Sequence, residues 1–341
     1  MDATATLLPD GKVLIAGGSV VPVSQVVASA ELYDPSTHKF TRTGPMATAR
    51  SNAAATLLAD GRVLIVGGDG CRNLATCHEP DSLKSAELYD PTTGKFTPTG
   101  SMSEARVSAT AVLLPDGRVL VLSGGSLLVE VYDPTTGKFT RAGSLLNQYQ
   151  DVLALLLPNG KVLVVGDGPH WLPGLAAELF DPGSGQSSSI TVPVPSGPVV
   201  TNFGVDTATM LKDGRVLLQV FDSASVVNYL ITYDPATGSF MQSGSIAAPA
   251  GWTPTAAALL RDGRVLFAGG WIADPPRSGE GHTADSAGVY DPASGFHLLS
   301  SKMVQARDDL TATALPDGTV LIAGGITDYQ KAYSSAELFK P

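Results

Sequence analysis

Aromatic and imidazole side chains are concentrated in the segments of this sequence that do not repeat. They include all three tryptophans, two histidines and a tyrosine: Trp171, Trp252, Trp271, His170, His282 and Tyr149. Such groups, carried on loops of a rigid scaffold, are typical of recognition surfaces. The pattern predicts a site for a glycan, a peptide or a small molecule. The alternative is that long loops need apolar anchors of their own.

The same segments contain groups for general acid–base chemistry. A lyase or isomerase needs one or two titratable side chains beside a pocket, and His170, His282, Tyr149 and Asp151 are of suitable types. The serine-hydrolase pattern Gly-x-Ser-x-Gly and the phosphate-binding P-loop pattern are both absent from the sequence. Whether a reaction is catalysed stays open at this stage.

Three arginines each follow a methionine by four positions: Arg50, Arg106 and Arg307. The planar guanidinium group suits bidentate binding of a ligand carboxylate. The regular recurrence of the spacing instead favours a structural role, in which each arginine bonds to neighbouring backbone carbonyls. Both alternatives remain open, and the recurrence favours the second.

Small polar residues recur eight positions before the aspartate or asparagine of a repeated turn, such as Asp10 in the first copy. Asp2, Asp151 and Asp309 are carboxylates, and Asn52 and Ser108 stand at corresponding positions. Converging carboxylate and amide oxygens would suit Ca²⁺. The alternative is that these groups cap strand ends together with water. No other cofactor is predicted.

Cys71 and Cys77 lie six positions apart in one predicted loop. A disulfide between them would indicate an oxidising compartment, hence a secreted, cell-surface or periplasmic location. The alternative joins both cysteines with His78 as metal ligands, although the spacing matches no strong zinc signature. The sequence shows no N-terminal signal-peptide pattern.

Composition argues against two classes of partner. The formal net charge is −10 and no basic stripe is present, which disfavours nucleic acid. No apolar run approaches the ~20 residues that span a bilayer. Hydrophobic residues make up 43 % of the chain and charged residues 16 %, so a large core can be buried.

An internal repeat determines the elements that position these residues. A segment of the type Leu-Leu-Pro-Asp-Gly-Lys-Val-Leu-Ile recurs with its turn residue at Asp10, Asp60, Asp116, Asn159, Asp213, Asp262 and Asp317. A segment of the type Ala-Glu-Leu-Tyr-Asp-Pro recurs in step, with its aromatic at Tyr33, Tyr89, Tyr132, Phe180, Tyr233, Tyr290 and Phe339. Each repeat is predicted to be a four-stranded antiparallel meander that begins with an Asp-Gly hairpin. Because such sheets are apolar on both faces, they must stack on one another.

Glycine doublets end the predicted second strand in five repeats: Gly17-Gly18, Gly67-Gly68, Gly124-Gly125, Gly269-Gly270 and Gly324-Gly325. Together with an aromatic in the third strand and another 6 or 7 residues later, they resemble kelch repeats over essentially the whole chain. The likeness is weakest at Gly166-Asp167-Gly168 and Val220-Phe221. The resemblance implies a seven-bladed β-propeller and says little about activity.

The predicted architecture is one all-β domain over residues 1–341, with blades that start near residues 3, 52, 107, 151, 206, 255 and 309. We expect the last blade to lack its outer strand and to expose an edge near residues 335–339. A copper–radical oxidase resembling galactose oxidase shares this propeller type but needs a Tyr-His pair. No Tyr-His dipeptide occurs here, which argues against that chemistry.

The meander places short turns at one face and long, variable connections at the other. The tryptophans and most histidines fall in the long connections. The leading prediction is a ligand-binding or interaction module that uses this loop-rich face, carbohydrate included. The alternatives are an enzyme on the same face (a carbohydrate-active lyase or hydrolase, or an isomerase) and a structural segment of a larger surface protein. The sequence leaves the ligand and the oligomeric state open.

Overall fold

The computed structural model describes residues 2–20, 25–71, 81–168, 175–193, 203–223, 225–246, 251–273, 281–327 and 331–341. Within these ranges every regular element is a β-strand, which confirms the predicted all-β class. The chain divides into two compact units. One comprises Met1–Leu156, Gly160–Val162 and Phe180–Ser188, and the other comprises Leu157–Asn159, Leu163–Leu179 and Ser189–Pro341.

The first three repeats form three four-stranded antiparallel sheets and two smaller ones. In chain order their strands are β1 (Thr4–Leu7), β2 (Val13–Ala16), β3 (Ser19–Val20), β4 (Gln25–Val26), β5 (Ala30–Asp34), β6 (Lys39–Arg42), β7 (Ala49–Ser51), β8 (Ala54–Leu57), β9 (Val63–Val66), β10 (Asp69–Cys71), β11 (Asp81–Ser82), β12 (Ser85–Asp90), β13 (Lys95–Ser101), β14 (Thr110–Leu113), β15 (Val119–Leu122), β16 (Leu128–Asp133) and β17 (Lys138–Ser144). The large sheets have the orders β1-β2-β5-β6, β13-β12-β9-β8 and β14-β15-β16-β17, and the small ones β3-β4 and β11-β10-β7.

The later repeats follow the same plan. Their strands are β18 (Val152–Leu156), β19 (Val162–Asp167), β20 (Leu175–Asp181), β21 (Gln186–Ile190), β22 (Phe203–Met210), β23 (Val216–Asp222), β24 (Val227–Asp234), β25 (Ser239–Ile246), β26 (Trp252–Thr253), β27 (Ala256–Leu259), β28 (Val265–Ala268), β29 (Trp271–Ala273), β30 (Gly281–Thr283), β31 (Ala287–Asp291), β32 (Gly295–Leu298), β33 (Asp308–Ala314), β34 (Val320–Thr327), β35 (Lys331–Ala332) and β36 (Ala336–Phe339). The large sheets are β18-β19-β20-β21, β22-β23-β24-β25, β27-β28-β31-β32 and a last one in which β34 pairs with β33, β35 and β36. A small sheet, β26-β29-β30, accompanies them.

The Asp-Gly segments form the predicted hairpins between the first and second strands of each sheet. In the second repeat the Leu58 N–H donates to the Arg62 carbonyl at 2.8 Å, and the Gly61 N–H donates to the Leu58 carbonyl at 3.0 Å. The Asp60 side chain accepts from the Arg62 N–H at 3.0 Å. Gly61 has φ of 87°, a left-handed conformation that favours glycine.

The core lies between consecutive sheets within each unit. Leu14 and Ala16 of the first sheet pack in one buried cluster with Val63 and Ile65 of the second. A cluster in the other unit joins the sixth and seventh repeats in the same way. This is the stacking that a sheet with two apolar faces requires.

Outer strands are tied to the following sheet by hydroxyl and backbone bonds. The Thr43 hydroxyl lies 3.0 Å from the Tyr89 hydroxyl, and the Gly44 N–H donates to the Gly94 carbonyl at 2.9 Å. A Cβ on Gly44 would stand 2.7 Å from that carbonyl oxygen, so glycine permits the close approach. Tyr89 also packs against Phe96 of the neighbouring strand β13, with ring centroids 4.8 Å apart.

The third strand of the last repeat, β36, pairs with β34, and within the described residues no fourth strand pairs with its other side. Leu338 on this strand is 38 % exposed, whereas Leu88, its counterpart in the second repeat, is 6 % exposed.

Candidate functional site

Arg50 is buried on β7, in the connection between the first and second repeats, with 1 % of its surface exposed. Its Nη1 donates to the carbonyl oxygens of Gly67 and Ser85 at 3.0 and 2.9 Å. Its Nη2 donates to the Glu87 carboxylate at 3.0 Å. That carboxylate also accepts two backbone N–H groups of the connection, at 2.7 and 3.0 Å. The guanidinium group therefore fastens the connection to the second sheet.

The backbone of Arg50 also contacts the first sheet. Its carbonyl accepts from the Gly18 N–H at 2.7 Å. Gly17 has φ of 71°, and a Cβ there would stand 2.4 Å from the same carbonyl oxygen. The absence of a side chain at Gly17 therefore allows the Arg50 carbonyl to approach the first sheet. Arg50 thus joins two consecutive sheets.

Arg106 and Arg307 repeat this arrangement, each with 1 % of its surface exposed. Arg106 Nη2 donates to the Glu130 carboxylate at 3.2 Å, and Arg307 Nε donates to the Glu337 carboxylate at 3.2 Å. Arg307 Nη1 donates to the Gly324 carbonyl at 2.6 Å. This geometry corresponds to the structural role that the regular spacing favoured, because the guanidinium groups are engaged inside the protein.

Aromatic residues occupy the arginine position in the fourth, fifth and sixth repeats. Counted back from the turn residue of the second to seventh repeats, this position lies ten residues earlier, and it holds Arg50, Arg106, Tyr149, Phe203, Trp252 and Arg307. The Trp252 Nε1 donates to the Gly269 carbonyl at 2.7 Å, the counterpart of the bond from Arg50 to Gly67. Trp252 therefore replaces an arginine in the framework.

The carboxylate partner is also exchanged in two of these repeats. The third-strand position of Glu87 is Ile231 in the fifth repeat and Gly288 in the sixth. An indole ring is neutral, so a buried carboxylate opposite Trp252 would have no compensating charge. Trp252 and Tyr149 are not part of the exposed recognition surface that their positions in loops predicted, because they are buried, with 1 % and 3 % of their surfaces exposed.

The small sheet β26-β29-β30 places Trp271 and His282 on opposite faces. Ile272 lies opposite His282 in its register. Trp271 lies opposite Thr253 on one side and Thr283 on the other. Directly paired residues of neighbouring strands share one face of a sheet. The two predicted site residues therefore do not converge, and exposed His282 lies on the face of Ile272.

Thr253, Trp271, Thr283 and Thr327 form a row of one indole and three hydroxyl groups, which we call the Trp271 face. The Thr283 and Thr327 hydroxyls are 3.2 Å apart. The indole lies over Gly281, where a Cβ would stand 2.4 Å from Nε1, so glycine admits the ring. Trp271, Thr253 and Thr327 are partly exposed. The row offers an aromatic surface and hydroxyl groups without a charge of its own.

Two buried amides hold the strand that carries Thr253. Gln219 and Asn228 belong to the fifth sheet and are 0 % and 1 % exposed. Asn228 Nδ2 donates to the Trp252 carbonyl at 2.8 Å and to Thr253 Oγ1 at 3.1 Å. Gln219 Nε2 donates to the Pro254 carbonyl at 2.9 Å and to Asn228 Oδ1 at 3.1 Å. The fifth sheet thus fixes three consecutive residues next to Trp271.

In the described ranges no group of three or more His, Cys, Asp or Glu side chains is arranged to hold a metal ion, and the Ca²⁺ site stays a prediction. Asp151 and Asp309 are exposed. Burial raises the pKa of half-buried Asp2, and the nearby Asp69 carboxylate raises it further. Asp2 and Asp309 have φ of 54° and 49°. Their left-handed backbone explains the small polar residues at this position.

A cavity of about 430 Å³ lies at the turns of the fifth and sixth sheets and is lined in part by Asp213, Asp262 and Arg264. Both carboxylates already bind arginines of their own hairpins, Asp213 to Arg215 at 2.6 Å and Asp262 to Arg264 at 2.7 Å. The bond from Arg215 lowers the pKa of Asp213. The cavity is therefore a gap between two hairpin turns.

Three predicted site residues lie outside the described part of the chain, and a fourth is described only in its backbone. His170 and Trp171 fall in residues 169–174 and Cys77 in residues 72–80, and the side chain of Cys71 is likewise not described. The ligand-binding role of the first two and the disulfide stay predictions.

Sequence reasoning missed the threonines and the two buried amides. A signal for the amides was available, because Gln219 stands where the second repeat has Val66, at an otherwise apolar position. Counting back from each turn residue would also have revealed the exchange of arginine for aromatic residues. The gathering of three threonines around Trp271 depends on the register of three short strands and had no signal.

Comparisons with known proteins agree with the kelch resemblance. Residues 4–47 match the family described as Kelch motif. The matched residues correspond to the first repeat. No curated protein matches the sequence.

Solved structures share the fold over the whole chain. A fungal alcohol oxidase of the AA5 family, in complex with copper, has a TM-score of 0.73 and 16 % identity, with 100 % of this chain and 74 % of that chain covered. The protein YjhT has a TM-score of 0.59 and 12 % identity, with 100 % and 94 % covered. These similarities support the predicted β-propeller fold.

The described ranges contain no helix long and apolar enough to cross a membrane.

Arg50→Ala should lower the free energy of unfolding by about 3–5 kcal/mol, because it leaves the buried Glu87 carboxylate without its cation. Chemical denaturation would measure this loss. The matched control is Arg118→Ala, whose side chain is 44 % exposed and pairs with exposed Asp116. The control should lose less than about 1 kcal/mol. Equal losses in the two variants would contradict the structural role of Arg50.

Trp252→Phe should cost about 1–3 kcal/mol, because the buried Gly269 carbonyl loses its donor. Trp252→Arg should cost more than Trp252→Phe, although arginine is the residue of three other repeats, because Gly288 supplies no carboxylate. Thermal unfolding of the two variants and the wild type would rank their stabilities. A Trp252→Arg protein as stable as the wild type would refute the coupling of arginine to the third-strand glutamate.

Proposed function

We propose that this chain is a ligand-binding module and that the Trp271 face binds a neutral, hydroxyl-rich ligand of the carbohydrate class. The observation that carries the proposal is the partly exposed Trp271 indole between two threonines. A pyranose ring has an apolar face of C–H groups, which suits an aromatic ring, and an edge of hydroxyls, which suits hydroxyl partners.

Rigidity of the site supports this proposal. Trp271 lies on a three-stranded sheet, and its neighbour Thr253 is held by the buried Asn228 amide of the fifth sheet. A binding site gains affinity when its groups are already in place before the ligand arrives. The arrangement provides that preorganisation.

Charge supports a neutral ligand. The row itself carries no charged side chain, and the nearby Arg307 guanidinium is engaged with Glu337 and two backbone carbonyls. With a formal net charge of −10, the chain offers no general attraction for an anion.

Trp271→Ala should weaken binding of the best neutral methyl glycoside by about thirtyfold, the loss expected of an aromatic anchor. The probes are the methyl glycosides of glucose, galactose, mannose and N-acetylglucosamine, and titration calorimetry measures their affinity. The matched control is Met241→Ala, an exposed apolar side chain on the outer strand β25. It should leave affinity unchanged.

Two results would contradict the proposal: no glycoside binds the wild type, or Trp271→Ala binds as tightly as Met241→Ala. Conversion of a glycoside into product would favour the alternative function, a carbohydrate-active enzyme on the same face.

We further infer that the seven repeats are seven blades of one propeller. The seven turn residues, the stacking of consecutive sheets and the fold likeness over the whole chain support this arrangement. Such a domain of 341 residues should have a radius of gyration of about 20 Å and one cooperative unfolding transition. Solution scattering and calorimetry test both, and two separate transitions would contradict the single domain.

The predicted secretion, cell-surface or periplasmic location depends on the Cys71–Cys77 disulfide and stays a prediction with it.

A further inference from the structure

The orientation of the Asn228 carboxamide is determined by its neighbours. The Trp252 carbonyl can accept but not donate a hydrogen bond, so the atom 2.8 Å away must be Nδ2. The same reasoning at the Pro254 carbonyl, 2.9 Å from Gln219, places Nε2 there. Gln219 Nε2 also lies 3.1 Å from Asn228 Oδ1 and 3.1 Å from the Asp206 carboxylate, so these two acceptors share its second N–H. Every polar atom of the Asn228 side chain thus has a partner.

The first of these bonds has a structural explanation. In the second, third and seventh repeats the backbone carbonyl at the position of Trp252 accepts from a glycine N–H, as that of Arg50 does from Gly18. The fifth repeat has Val220-Phe221 in place of that doublet. Asn228 Nδ2 supplies the missing donor to the Trp252 carbonyl.

The second bond from Asn228 Nδ2 has no counterpart in the repeats where a glycine N–H is the donor. It goes to Thr253 Oγ1 at 3.1 Å, so the threonine oxygen is an acceptor there. Within the described residues, the Thr253 hydroxyl has no acceptor for its own proton. Thr253 is partly exposed and lies directly opposite Trp271.

We propose that Asn228 is a positioning residue that makes the Thr253 hydroxyl a hydrogen-bond donor to the ligand at the Trp271 face. This inference rests on the proposed function. It adds a specificity, because the ligand must present an acceptor oxygen beside the ring that contacts Trp271. A protonated amine, which donates and cannot accept, would be disfavoured at that place.

The test uses the methyl glycoside with the highest affinity and its monodeoxy analogues. Thr253→Val should weaken the parent glycoside about fivefold, the worth of one hydrogen bond. One deoxy analogue should bind the wild type about fivefold more weakly, and it should lose nothing further with Thr253→Val. A merely structural role would weaken all analogues alike in that variant.

Asn228→Asp keeps the shape of the side chain and replaces Nδ2 by an acceptor. We expect it to remove the preference for the parent glycoside over that deoxy analogue. The matched control is Asn159→Asp, an exposed turn position where other repeats have aspartate, and it should retain the preference. If Asn228→Asp does not fold, Asn228→Ala decides the question, because it removes the donor to Thr253 Oγ1 and should also weaken the preference. Thr253→Ser keeps the hydroxyl group and should restore the preference that Thr253→Val loses.

The two proposals fail differently. Binding that needs Trp271 but is indifferent to Thr253→Val and to every deoxy change would overturn the role of Thr253 and leave the proposed function intact. The absence of binding by any glycoside would overturn both.

Discussion

In the second, third and seventh repeats, consecutive sheets are held together at the position ten residues before the Asp-Gly turn. An arginine there contacts one sheet with its backbone carbonyl and the next sheet with its guanidinium group. The contact with the first sheet requires the glycine doublet, since a Cβ would collide with the carbonyl. The contact with the second requires a buried glutamate, because an unpaired guanidinium group would be costly inside the protein. Where the arginine is present, it therefore depends on both the glycine doublet and the glutamate.

Two of the three repeats that lack the arginine, the fifth and the sixth, build the candidate site. At the sixth repeat Trp252 takes the place of the arginine, and the third-strand glutamate is absent. In the fifth repeat the doublet is absent as well, and Asn228 supplies the donor that a glycine N–H supplies elsewhere. An amide side chain has two N–H groups where a backbone has one. The second N–H of Asn228 donates to Thr253 Oγ1. The side chain that replaces the glycine donor therefore also fixes the Thr253 hydroxyl group beside Trp271.

The fate of the predicted site residues follows from the same reasoning. Arg50, Arg106, Arg307 and Trp252 recur at one position of the repeat, and a recurring position serves the framework shared by all repeats. Trp271 and Thr327 belong to connections that differ between repeats, and such connections are where a repeat protein gains individual chemistry. Regularity in the pattern was therefore a better guide to structural roles than residue type.

The sequence by itself determined the all-β class, the four-stranded sheets and their hairpin turns. These features depend on neighbours along the chain: an Asp-Gly pair fixes a turn, and alternating turns and apolar runs fix strands. The tertiary structure alone decided which loop residues meet. Trp271 faces Thr253 and Thr283 and not His282, because a strand directs successive side chains to opposite faces and the pairing register of the short strands β26, β29 and β30 sets which of them coincide. That register joins residues distant in sequence, and no local pattern encodes it.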